Sequence, residues 1–96
     1  MRLLLAAALL VPLAVHAEPA TERYADVQLQ VAQEYLQRAR DAAQAGEHSL
    51  AGALAWQAVL DARLAAGMTE TAEIRVGASA VANDAQRLVH GIASSR

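Results

Sequence analysis

His48 and His90 are the side chains of this sequence best suited to holding a metal ion. An up-down-up set of helices would bring the two to one end of the molecule, where a carboxylate would have to complete the site. Zinc needs three or four convergent ligands, and neither H-x-x-x-H nor H-E-x-x-H occurs here. Both therefore read as solvent-facing turn and tail histidines, and no metal and no other cofactor is expected.

The nearest approach to a nucleophile motif is Gly77-Ala78-Ser79-Ala80-Val81. It lacks the second glycine and the preceding strand that a strained nucleophile elbow requires, which leaves Ser79 as an ordinary helix residue. Acid/base chemistry needs two carboxylates in one enclosed pocket. Glu22, Asp26, Asp41, Glu47, Glu70, Glu73 and Asp84 instead fall on exposed arcs or in turns. Glu34 with Arg38 and Arg38 with Asp41 are spaced as surface helix pairs. The glycines are scattered singly, so no phosphate-cradling loop is present. The chain is expected not to be an enzyme.

Four residues in the most apolar stretch have a different potential. Asp61 and Arg63, with Gly52 and Gln57, interrupt the otherwise apolar segment 49–66. Charges placed there must face an edge, pair with another helix, or face a partner. The reading adopted is an edge position, with the arginine stem lying over alanine. Trp56, the sole tryptophan, serves either as a core anchor or as a binding hot spot. If two alanine-rich neighbours fail to cover segment 49–66, the exposed face should include Trp56 and Leu60. Trp56, Leu60, Asp61 and Arg63 are thus the candidate interaction surface.

Three helices are expected to position these groups, separated by turns at Gly46 and Gly67. In residues 21–45, Ala25, Leu29, Ala32, Leu36, Ala39 and Ala43 repeat at alternating spacings of four and three, the period of one helix face. Tyr24, Val27, Val31 and Tyr35 form a second stripe beside it, and Asp26, Gln30, Gln33, Gln37, Asp41 and Gln44 fill the wet face. Thr21 is the expected N-cap, with Pro19 outside the helix, and Gly46 the expected left-handed C-cap.

Segment 49–66 is apolar nearly all round, which places it between two neighbours. Thr69 is positioned to cap the third segment, with Glu70 and Glu73 in the first turn. There Ile74, Ala78, Val81, Ala85, Leu88 and Ile92 repeat the four-three pattern. Two alternatives stay open: a short strand over 74–82, where apolar residues also alternate, and a break at Asn83. Short turns make sequential helices antiparallel neighbours. The expected fold is all-α, an antiparallel helical hairpin extended to a three-helix bundle.

The beginning of the chain sets the compartment. Arg2, the apolar run 3–15 and Val15-His16-Ala17 before Glu18 have the arrangement of a secretory signal peptide. The run is shorter than the roughly 20 residues of a spanning helix. Residues 1–17 are accordingly expected to be a cleaved signal peptide, and 18–96 a single small helical domain in the periplasm. With no Cys there is no lipid attachment site, disulfide or thiolate metal site.

The formal net charge is −2, every cation is an arginine, and no basic stripe is present. Nucleic acid is thus not an expected partner, and the mature chain should have no membrane span. So small a core, rich in alanine and without Phe, supplies little stability by itself, and a protein partner or self-association is expected.

Residues 36–64 resemble the domain-of-unknown-function 4398 family. The likeness rests on the Ala-Gly-Glu-His turn after Ala39-Arg40-Asp41-Ala42, and on Gln57-Ala58 followed by Asp61-Ala62 and Leu64-Ala65. That family comprises short, alanine-rich helical proteins of the Gram-negative envelope, often lipoproteins, sometimes joined to an OmpA-like peptidoglycan-binding domain. The resemblance implies an envelope location and supplies no catalytic or binding residue. The chain lacks the family's lipobox Cys and OmpA-like domain, so peptidoglycan association is not expected.

The functional expectation is a non-enzymatic exported protein acting through protein contacts in the cell envelope, as a small homo-oligomer or an accessory subunit. The alternative is a small-ligand or metal carrier that uses the bundle interior or the His48/His90 end.

Overall fold

A computed structural model describes the backbone of residues 2–94 and the side chains of residues 20–94. It contains three α-helices: α1 Arg2–Gln44, α2 His48–Met68 and α3 Ala72–Ser94. All three pairs of helices touch, and the described residues contain no strand.

The first turn is made by backbone geometry. Gly46 adopts φ +78°, the left-handed conformation that costs glycine nothing. With the chain reversed there, Gly46 N donates to Ala43 O at 3.1 Å and Glu47 N to Ala42 O at 2.9 Å. This pair of bonds is a Schellman cap, and it satisfies carbonyls that the end of α1 would leave without partners.

The second turn is tied across the bundle to α1. Glu22 accepts hydrogen bonds from the hydroxyl of Thr69, from Glu70 N at 2.8 Å and from the hydroxyl of Thr71 at 2.8 Å. The start of the bundled part of α1 therefore lies beside the end of α2, which makes the two antiparallel. Ile92 of α3 packs with Ala42 and Ala51 at the opposite end, so α3 runs alongside α1 in the same direction.

The core follows the first expected stripe of α1 and that of α3, except that Ala42 rather than Ala43 is the residue buried at the end of α1. Leu29, Ala32, Leu36 and Ala39 of α1 meet Ala55, Ala58, Val59, Ala62 and Ala65 of α2 and Ala78, Val81 and Ala85 of α3. Val59 is the largest side chain that is fully buried. Alanine at the facing positions permits close approach of the helix axes, but each such residue removes little apolar area from water.

Several boundaries differ from the sequence reading. Rather than starting near Thr21, α1 begins at Arg2 and passes through Pro19. The Leu- and Ala-rich leader has strong helix propensity, and Pro19 forfeits one backbone bond without forcing an end. Thr21 consequently lies within a helix and does not cap one. The side chains of the expected signal peptide and its cleavage site lie outside the described residues.

Helix α2 continues past Gly67 to Met68, and extended Thr69 follows it. Thr69 does not cap α3 in the expected manner. Its hydroxyl accepts from Thr71 N at 3.0 Å, and the carbonyl of Thr71 receives Arg75 N at 3.1 Å. Helix α3 is continuous across 74–82 and Asn83, so neither the strand nor the break occurs. Helical packing of Ala78, Val81 and Ala85 outweighs both local signals. No helix among the described residues is long and apolar enough to cross a membrane.

Candidate interaction surface

Helix α2 buries Ala51, Ala55, Ala58, Val59, Ala62 and Ala65 against its two neighbours. At about 100° per residue, the opposite side of the helix carries Ala53, Trp56, Leu60 and Leu64. Trp56 is 49% exposed, Leu60 57% and Leu64 48%. An apolar ridge thus faces away from the core along the middle of α2.

Helix α1 carries exposed apolar residues of its own. Glu22 and Arg40 lie on the flank of α1 that reaches α3, through the second turn and through Asp84, whose carboxylate is 3.5 Å from the Arg40 guanidinium. Tyr24, Val31 and Tyr35 lie on the opposite flank of α1, where Tyr35 packs against the core shared with α2, and Val27 faces away from the core. Tyr24 and Val27 are about half exposed, and Val31 and Tyr35 are partly covered. The Arg38 guanidinium sits 5.9 Å from the centroid of the Tyr35 ring and marks the polar margin of this patch.

Asp61 and Arg63 flank the ridge on opposite sides. Asp61 is half-buried on the side of α1, where Gln57 Nε2 donates to its Oδ1 at 3.1 Å. Arg63 is exposed on the side of α3, bordering a groove of about 210 Å³ formed with Ala62, Ala66, Ala78, Ala82 and Asn83. An arginine stem at an alanine-lined edge is the placement its sequence context implied. Neither charge has an ion-pair partner among the described residues.

All four residues expected at an interaction surface therefore gather around one face of α2. The sequence reading missed Leu50 and Leu64 as exposed members, and it took Tyr24 and Val27 as part of a covered stripe. Gln57, Asp61 and Arg63 are too few and too spread around α2 to make a polar face, so periodicity alone did not mark Leu50 and Leu64 as exposed.

Other chemistry-bearing groups take structural positions. Three donors converge on Glu22, and its carboxyl is held below the ordinary glutamate range, chiefly by the Thr69 hydroxyl, then by Glu70 N and the Thr71 hydroxyl, with Arg75 contributing least. Arg75 Nη2 also donates to Thr69 O at 3.1 Å. This cluster spends its polar atoms joining α1 to the second turn. His48 borders a groove of about 220 Å³ with Ser49, Gly52, Ala53, Val89 and Ile92. Helix order brings the end of α3, near His90, to the same end of the bundle. Among the described residues no three His, Asp or Glu side chains are grouped to hold a metal. Ser79 is exposed on α3.

Comparison with protein-family models, curated proteins and solved structures found no match to this chain.

Proposed function

We propose that this chain is a non-enzymatic, exported envelope protein that works by protein contact through the outward face of α2. The observation that supports this reading is an inversion of size. Alanines fill most of the interior, while Trp56, Leu60, Leu64, Leu50, Tyr24 and Val27 lie about half exposed outside it. Large apolar residues left in water along one helix face, as Trp56, Leu60 and Leu64 are, mark a contact surface, and tryptophan is the side chain most enriched at binding hot spots. The open groove beside His48 is smaller than the roughly 300–1,000 Å³ usual for small-molecule sites, so the α2 face has the stronger claim over a carrier function.

Export is proposed from the leader, whose pattern places the mature N-terminus at Glu18 in the periplasm. The contact function is tested by crosslinking in intact cells. Covalent capture of a protein should be lost when Trp56 and Leu60 are changed to Ser. Unaltered capture by that variant, at equal abundance, would remove the α2 face from the function.

A further inference from the structure

We propose that the ridge Trp56-Leu60-Leu64 is a self-association surface, and that its occupant is the same ridge of a second copy lying parallel to the first. This rests on the contact function proposed above and names the partner.

Asp61 and Arg63 stand on either side of Leu60. Around the helix, Asp61 lies about 100° to one side of Leu60 and Arg63 about 60° to the other. Along the helix the two are only about 3 Å apart. The ridge therefore carries an acid on one flank and a base on the other at nearly the same height, each without an ion-pair partner among the described residues.

A twofold axis parallel to α2 brings opposite flanks of two copies together. Asp61 of each copy then faces Arg63 of the other, giving two equivalent ion pairs around the Leu60 contact. A twofold axis perpendicular to α2 would bring like flanks together and set Asp61 near Asp61. The charge arrangement is self-complementary in the parallel orientation alone, as an interface between identical surfaces requires.

The surrounding geometry is compatible with this contact. Helices α1 and α3 lie behind α2 on its alanine side, so the ridge can approach its copy without obstruction from either. Gln57 donates to Asp61 Oδ1 and holds the carboxylate on its flank. Residues spaced by four, as Trp56, Leu60 and Leu64 are, form the row that interdigitates with a matching row on another helix. Asp61 and Arg63 adjoin the central residue of that row, so they stay within reach even when the two helices cross at an angle.

The test is sedimentation equilibrium on protein purified from cells that express the full chain. A concentration-dependent dimer is expected, weakened by Trp56→Ser and by Leu60→Ser. Asp61→Arg and Arg63→Asp should each weaken it about tenfold, because each turns both ion pairs into repulsions. The double variant D61R/R63D should restore wild-type affinity. All of these positions are at least partly solvent-exposed, and far-UV circular dichroism checks that each variant remains folded. A dimer indifferent to both single charge changes would overturn the parallel arrangement, and one indifferent to Trp56→Ser and Leu60→Ser would overturn the ridge. A protein monomeric up to about millimolar concentration overturns self-association altogether. If that monomer still captures a different protein in cells in a Trp56-dependent manner, the second copy alone fails and the contact function stands.

Discussion

The carboxylate of Glu22 in α1 accepts the hydroxyl hydrogen of Thr71, 49 residues later, at 2.8 Å. With Thr69 and Glu70 N as further donors, this carboxylate closes the end of the bundle opposite Gly46. The arrangement serves only an ionised glutamate, since a neutral carboxyl group gives up acceptor capacity to its own proton.

Acidification should therefore weaken the fold through Glu22. Its folded pKa is depressed relative to the unfolded chain, so its contribution is complete above the ordinary glutamate value of about 4.3 and disappears as pH falls through the lower folded value. The difference in melting temperature between the native sequence and Glu22→Gln should shrink as pH falls through that window. A difference that is constant from neutral pH to below the window would show that the ionised carboxylate is not what joins α1 to the turn.

Glycine substitutions should have opposite signs at two positions. Gly46 holds φ +78° with nothing near the place of a Cβ, so Gly46→Ala should cost about 1–2 kcal/mol through backbone strain alone. Gly52 lies within α2, again with open space around a Cβ, and Gly52→Ala should stabilise by about 0.5–1 kcal/mol. Urea denaturation of both variants measures the pair.

Truncating the tryptophan should cost less stability than truncating a core leucine. Trp56 is half exposed, and Trp56→Ala should destabilise by about 1 kcal/mol. Leu36 is buried in the main cluster, and Leu36→Ala should cost about 3 kcal/mol or more. Chemical denaturation at a concentration where the protein is monomeric separates this comparison from any effect on association. An equal loss at the two positions would contradict the outward placement of Trp56.

Enlarging an interior alanine should be unfavourable as well. Ala58 is fully buried in the core shared by the three helices, and Ala58→Leu should cost about 1–3 kcal/mol by overpacking. A neutral result in thermal melts would mean that the alanine interface is looser than its burial implies.

N-terminal sequencing of the exported product should begin at Glu18. In that product Pro19 falls in the first turn of α1, where a missing N–H leaves no bond unmade. A full-length protein retained in the membrane would contradict cleavage.

Much of the architecture was legible in the sequence because it is local. The four-three spacing of Ala25, Leu29, Ala32, Leu36 and Ala39 fixes both a helix and its buried side, and Gly46 marks a reversal that only glycine makes without strain. The same spacing in Ala78, Val81 and Ala85 placed the inner side of α3. What the sequence left open required contacts between distant residues. Helix α2 is apolar nearly all round, so its own pattern marks Trp56 and Leu60 as outermost only on the condition that two alanine-rich neighbours fail to cover it. Packing against α1 and α3 turns its alanines inward and leaves Trp56, Leu60 and Leu64 facing water. Glu22 likewise reads as one of several surface carboxylates until antiparallel packing carries it to Thr69 and Thr71. Periodicity determines that a helix forms and which residues share a side, whereas the orientation of a nearly all-apolar helix and the partner of a surface charge are settled by the tertiary arrangement that buries the most area and satisfies the most polar groups.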